Sequence, residues 1–532
     1  MAKPAIMRHS APVFDLTQVV GDIATEIKPM FLPPKGVAYS LRSLQIGAEY
    51  AADIQNLMVR FGRYVTRPGT VDVGSAASGN LVFAYEFIDA TGARYFYRWL
   101  PSKVQVWDGV TWEDVLGITL TGNIENKISV TSFGGKLLFC NGIDPIQEIT
   151  TPDTGTELTG SPVCSHLTTF AGRVVASDIL GEPYRIQWSV KNDHTDWAGL
   201  GSGYEDLFST PGGAIDSQAG VYPVTEVLAL ALRSDSVWSM SETGIFDTPF
   251  RFGRIMPAAG CRARHSVAQV PDGIVFLGQD NIYQITLPNL KPEPVGDLVK
   301  DQLLNAVEKP YGCFGVYSPR FDEYRLFIPG ATTNTLVYRY NRTGGQWTSD
   351  KYPFQITSIS GGRNESKIPI DLLTGTIDGL SGFIDALGVN TGIPSILMTT
   401  GPQVVAEDMN ESNSTTRDTD GVGGRVANGF LIRTGYVFAG QSLKKTQVIE
   451  IQLEYESGRD TSLIFEYSDD NGNTWNAYST VTASQTVGPR ILAVRRTIER
   501  NNIILRLRTT SVGIFRLFAM YVRTVSGAMV AP

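Results

Sequence analysis

The sequence predicts a mainly β protein: a β-propeller, introduced by an extended N-terminal arm and followed by a C-terminal β-sandwich. Three observations carry that expectation. Short apolar strands joined by tight turns recur as similar units between about residues 80 and 340. The chain holds 54 Gly, 24 Phe, 21 Tyr and 8 Trp, the mixture of turn-formers and strand-formers that short strands require. A polar stretch at 407–425 then separates these units from a second strand-rich region at 430–525.

At 532 residues the chain is too long for one ordinary core, so several domains are expected. The expected division is an arm running into the first blade at 1–78, the propeller at 79–395, a polar loop or linker at 396–429, and the sandwich at 430–532. In the arm, Pro29, Pro33 and Pro34 interrupt any regular element, and Pro68-Gly69 marks a turn near its end. A weak apolar pattern near 39–58 allows one helical patch. Such a segment is expected to borrow packing from a neighbouring subunit.

From residue 80 the apolar period becomes two. Leu81–Phe87 reads as a strand whose hairpin partner is Gly92–Trp99, and Val104–Trp107 meets Thr111-Trp112 across Asp108-Gly109. The unit Phe133-Gly134-Gly135-Lys136-Leu137-Leu138-Phe139 is echoed by Phe170-Ala171-Gly172-Arg173-Val174-Val175-Ala176. Further versions begin at Pro271-Asp272-Gly273 and at Phe321-Asp322-Glu323. A single small sheet cannot bury both of its faces, whereas radial stacking buries them and leaves short edges. A stack of similar β-sandwiches is the alternative. One helix is expected from Asp297, as N-cap, to about Val307.

Composition excludes several classes. The net charge of −8 argues against a protein whose main task is to neutralise phosphates. The N-terminal stretch lacks the apolar run of a signal peptide, and Val227–Leu232 falls far short of the roughly 20 residues of a membrane span. Cys140, Cys164, Cys261 and Cys313 are scattered, and His9, His166, His194 and His265 form no metal spacing. No cofactor, metal or enzymatic activity is therefore expected, and the thiols read as buried hydrophobes.

Ser468-Asp469-Asp470-Asn471-Gly472-Asn473-Thr474-Trp475 matches the Asp-box pattern S-x-D-x-G-x-T-W. The turn needs Asp470 to accept backbone N–H groups, Gly472 to take a positive φ, and Ser468, Thr474 and Trp475 to brace the hairpin. Asp-boxes are typical of sialidases, and Tyr184-Arg185-Ile186-Gln187 resembles their Phe/Tyr-Arg-Ile-Pro motif with Gln in place of Pro. A propeller glycosidase or a glycan-binding tail component is thus the rival reading. Asp350 and Asp371 form only a chance carboxylate pair. The C-terminal segment is rich in Arg, and Arg495, Arg496, Arg506 and Arg508 form a candidate basic strip facing a partner or DNA. The alternative is a solvated strand face paired to Glu450, Glu454 and Glu466.

The order of several motifs resembles a known group. Asp53-Ile54-Gln55-Asn56-Leu57, Phe61-Gly62-Arg63 and Thr66-Arg67-Pro68-Gly69 look like the N-terminal signature of phage tail proteins. Phe170–Arg173, Arg185–Ser189, Thr195-Asp196-Trp197, Ser236–Met240, Tyr317–Tyr324, Leu336–Tyr340 and Phe465–Trp475 follow in similar order. The chain thus resembles the tail nozzle, or packaged-DNA stabilisation (tail hub), proteins of short-tailed bacteriophages. That resemblance implies a structural virion protein assembled in the bacterial cytoplasm and located in the tail. It further implies a homo-oligomeric ring, a hexamer, below the portal. Its partners would be the head-to-tail adaptor, the tail fibres or spikes, and double-stranded DNA touched transiently at ejection. A hub or fibre-attachment protein of another tail type is a further alternative.

Overall fold

The computed structural model describes residues 25–42, 44–208, 217–255, 259–330, 334–364, 393–408, 418–419, 425–427, 429–437, 446–486, 488–500, 502–510 and 513–526. The chain is mainly β, with many small antiparallel sheets. Six four-stranded sheets follow one another as simple meanders. Their first strands are Phe83–Ile88, Ser129–Phe133, Cys164–Phe170, Gln218–Pro223, Ala268–Val270 and Phe314–Ser318. A seventh runs Ser358–Asn364, Ile393–Thr400, Gln403–Asp408 and is completed by Gly69–Val73 from the N-terminal segment.

These sheets surround one axis. Residues at or beside the first strand of every sheet line a common cavity of about 180 Å³, among them Phe83, Ser129, His166, Tyr222, Val267, Phe314 and Ser358. The seventh sheet returns to the first, where Ser360 Oγ donates to the Ala84 carbonyl at 2.6 Å and Thr357 Oγ1 to that of Leu81 at 3.1 Å.

The packing follows from period-two alternation on strands with neighbours on both sides. In the second sheet Leu137 and Phe139 pack against the first, while Leu138 and Cys140 pack against the third. In the fourth, Ala229 and Ala231 face the third, while Leu230 and Leu232 face the fifth. Val404 and Val73 of the seventh meet Leu81, Ala84 and Leu100 of the first. The repeated sequence units are the hairpins joining first and second strands of the second, third, fifth and sixth sheets. All four cysteines are buried free thiols.

The remaining strands form two sheets over a shared core. One has the order Asp53–Gln55, Leu431–Val437, Ile503–Arg508, Thr461–Ser468, Asn476–Ala483. The other has the order Leu57–Arg60, Arg63–Thr66, Phe515–Ser526, Thr446–Ser457, Arg490–Arg500, with Thr25–Met30 also paired to Phe515–Ser526. Leu463, Phe465 and Leu505 of the first meet Leu453, Leu517 and Val522 of the second, and the same core runs on to Leu326 and Trp347 of the sixth small sheet.

Four expectations differ from this structure. The described part of the segment expected as an arm pairs with its own chain, because its strands complete the edges of both C-terminal sheets. The expected helical patch near 39–58 contains the strand Asp53–Gln55, paired to Leu431–Val437 far along the chain, and runs into the strand Leu57–Arg60, which forms a hairpin with Arg63–Thr66. The helix spans only Lys300–Ala306, and Asp297 accepts a hydrogen bond from Asn281 Nδ2 at 2.8 Å instead of capping it. The expected linker at 396–429 contributes the strand Gln403–Asp408 to the seventh sheet, and 409–417 and 420–424 lie outside the described residues.

Candidate functional site

The Asp-box hairpin joins Thr461–Ser468 to Asn476–Ala483. Asp470 Oδ1 accepts from the Thr474 amide at 2.9 Å and from Ser468 Oγ at 2.7 Å, and its Oδ2 accepts from Thr474 Oγ1 at 2.5 Å. Ser468 Oγ in turn accepts from the Gly472 amide at 2.8 Å. Gly472 sits at φ +90°, where a side chain would also press on Arg433. The Thr474 hydroxyl and amide bonds hold Asp470 down at about 2. Every carboxylate lone pair in use is thus turned towards the hairpin itself. Trp475 is half-buried, and the Arg506 guanidinium lies 4.0 Å from the centre of its ring.

The four arginines of the candidate strip divide between two sheets. Arg506 and Arg508 share the strand Ile503–Arg508, with Leu505 and Leu507 turned into the core. Both bond the carboxylate of Glu466, at 2.7 Å and 2.9 Å. Burial raises the Glu466 pKa, but the bonds and charges of Arg508 and Arg506 outweigh it and leave it lowered. Arg495 and Arg496 lie on Arg490–Arg500 of the other sheet. Arg495 is 81% exposed and bonds Glu450 at 3.0 Å, and Arg496 donates to the carbonyls of Ala477 and Tyr478 at 3.1 and 2.5 Å. The arrangement therefore favours paired strand faces over one continuous strip, with Glu450 and Glu466 as partners. Arg433 was not anticipated. It pairs in register with Asp53 on one side and Arg506 on the other, so that Asp53, Arg433, Arg506 and Glu466 cross the sheet as a row of charges.

The residues at the start of the sequence resemblance converge on a buried joint. Arg67 is fully buried and grips Asp418 through two bonds of 3.0 and 2.5 Å, while its Nε donates to Asn56 Oδ1 at 3.1 Å. Burial alone pushes the Arg67 pKa down, and the Asp418 carboxylate more than offsets that and raises it. Tyr352 stacks on the guanidinium at 4.1 Å. Beside it, Arg325 and Arg339 share Glu323, Asp350 and Glu407, all buried. Asp350 is thus held by Arg339, and Asp371 lies outside the described residues. The network ties the sixth and seventh small sheets to the strands that lead into the C-terminal pair.

At one mouth of the axis lies a polar pocket of about 310 Å³. It is walled by segments leading into first strands, such as Glu125–Lys127 and Cys261–His265, and by loops after second strands, such as Asn141-Gly142. Arg185 does not line it. That side chain lies on the third strand of the third sheet, bonded to Asp206 at 2.7 Å and stacked on Tyr204. The described residues contain no cluster of His, Cys, Asp and Glu able to hold a metal ion. No helix among them is long and apolar enough to cross a membrane.

No protein-family model matches the chain. No curated protein matches it either. Many solved structures bear a distant likeness, three of them as follows. One is the extracellular domain of the putative one component system BT4673 from B. thetaiotaomicron: 7% identity, TM-score 0.39, 87% of this chain and 63% of that one covered. Another is the extracellular domain of the putative hybrid two component system BT4673 from the same organism: 9% identity, TM-score 0.40, 83% and 62% covered. The third is a glycoside hydrolase: 11% identity, TM-score 0.23, 84% and 99% covered. The chain thus spans somewhat less than two thirds of the first two structures that it is similar to.

Proposed function

We propose that this chain is a non-enzymatic structural component of a bacteriophage tail, of the nozzle type, built from a seven-bladed β-propeller and a C-terminal β-sandwich. The observation that supports it most is the placement of the resemblance. Asn56, Arg67, Pro68 and Gly69 lie where the seventh sheet is completed and the C-terminal sheets are attached, so the signature encodes the joint between units. In this reading the protein forms a ring that continues the DNA channel below the adaptor, retains the packaged genome and anchors fibres or spikes. Its action is mechanical and electrostatic. A chain of net charge −8 offers DNA few attractive contacts, so the genome is gated by channel width instead of being tightly bound. Gold-labelled antibody against residues 430–532, applied to intact particles, is expected to mark the base or tip of a short tail. Gold on fibre ends, or no gold on particles, overturns the reading.

A second reading, a glycan-binding tail component, is favoured by the polar pocket at the axis. A glycan array probed with the full chain distinguishes it. Binding that Lys127→Gln abolishes supports this reading, and a blank array removes it.

A further inference from the structure

The axial pocket has a charge balance opposite to that of the whole chain. Lys127, Arg262, Arg264 and His265 line it, and Glu125 is the one carboxylate among its described lining residues. Arg264 is committed to Asp178 at 2.6 Å. The other three cationic or titratable groups are not committed to a carboxylate. Lys127 Nζ donates to the carbonyls of Ile124 and Thr357, both at 2.9 Å, and lies 5.6 Å from the centre of the Phe314 ring, with no carboxylate among the described residues bonded to it. Arg262 has no ion pair among the described residues, and neither ring nitrogen of His265 has a hydrogen-bond partner among them.

Burial pulls Lys127 down to about 8, with the Glu125 charge too weak to restore it. His265 is pushed well below its ordinary value by burial and then by Arg264, Lys127 and His166. A bound anion would supply the counter-charge that a pocket with this surplus of cationic side chains lacks. The wall also presents neutral donors suited to an oxyanion, namely Ser165 and Asn126. A volume of about 310 Å³ is at the lower end of small-ligand pockets, room for one ring-sized molecule or a hydrated phosphate.

We infer that this mouth of the axis is an oxyanion-binding site, in which Arg262 and Lys127 receive the carboxylate or phosphate group of a small ligand. The guanidinium provides two parallel donors and the ammonium a point charge. Ser165 and Asn126 complete the set from the same lining. The inference gives a chemistry to the glycan-binding reading, as recognition of an acidic sugar, and does not depend on the tail reading. It also holds if the anion is a free phosphate.

The test is calorimetric titration of the full chain with inorganic phosphate and, separately, with D-glucuronate. Binding of at least one is expected, weakened ten-fold or more by Arg262→Gln and by Lys127→Gln. Arg262→Lys is expected to recover only part of the binding, because one ammonium cannot supply both parallel donors. Circular dichroism melts run in parallel should leave the variants' Tm near that of the parent, and Arg495→Gln, on a distant exposed strand, should bind as the parent does. Tighter glucuronate binding identifies an acidic sugar as the source of the anion. Phosphate binding alone upholds the site and removes the glycan reading. Binding of neither probe, or binding that survives the Arg262→Gln and Lys127→Gln double variant, overturns the inference.

Discussion

Arg67 shows how much a single side chain does in this molecule. It is buried, bidentate to Asp418, bonded to Asn56 and stacked on Tyr352. Replacing it by Ala leaves Asp418 charged and unpaired inside the protein, which costs about 3–5 kcal/mol. Urea unfolding of Arg67→Ala should show a correspondingly lower midpoint, and Arg67→Lys should recover only part of it because one ammonium cannot make both bonds. At the Asp-box, Asp470→Ala removes the acceptor for the Thr474 amide. Hydrogen exchange at that amide should quicken while global unfolding stays unchanged.

The buried histidine His166 makes a pH prediction with a definite sign. Its Nε2–H donates to the Val221 carbonyl at 2.9 Å, and Ser129 Oγ lies 3.4 Å from Nδ1. Burial, the main cause, lowers its pKa to about 4. In the unfolded chain the imidazole protonates near 6.5, so below that pH the unfolded state binds more protons. Its contribution to stability is therefore complete above pH 6.5 and is lost as pH falls towards 4, by roughly 1.4 kcal/mol per pH unit. Chemical denaturation at pH 7 and pH 5 should show this slope in the parent and a shallower one in His166→Gln. At the residue scale the Asp-box turn was legible, because all its bonds are local. Arg433 was not, because only strand register places it between Asp53 and Arg506.

Among the elements, the second strands of the small sheets were the most readable. Lys136-Leu137-Leu138-Phe139-Cys140 and Leu228–Arg233 are near-continuous apolar runs because each is covered on both faces. Leu230→Ala, at a fully buried position facing the fifth sheet, should destabilise the chain by about 2–5 kcal/mol in thermal or urea unfolding. Val110→Ala, at an exposed hairpin tip, should change little. The strands between 25 and 73 were illegible for the opposite reason. They are short, prolines lie in or beside them at Pro29 and Pro68, and all but the hairpin of Leu57–Arg60 with Arg63–Thr66 depend on partners hundreds of positions away. Local pattern reports burial and turns, and it does not report which distant edge needs a strand. The helix also came out shorter than its apolar stripe, since Asp297 found a better partner in Asn281.

For the whole molecule, a succession of small antiparallel sheets was expected from repetition, although the fourth strand of the seventh is one that no repeat announces. The net charge leads to a prediction at this scale. The isolated chain should bind double-stranded DNA weakly at physiological salt and with a shallow dependence on salt concentration. Filter binding or fluorescence anisotropy with submicromolar affinity would contradict the proposed passive channel.

The strand Gly69–Val73 has a consequence for synthesis on the ribosome. It is made before all of the first six sheets, yet the edge that receives it, Gln403–Asp408, emerges only after them. Thr25–Met30 waits longer still, for Phe515–Ser526. Both segments thus precede their partners by hundreds of residues and dock late, and until then they trail as unpaired, protease-accessible chain beside an open sheet edge. Nascent chains stalled near residue 360 should therefore be clipped readily between residues 25 and 75, while released full-length chains should resist there.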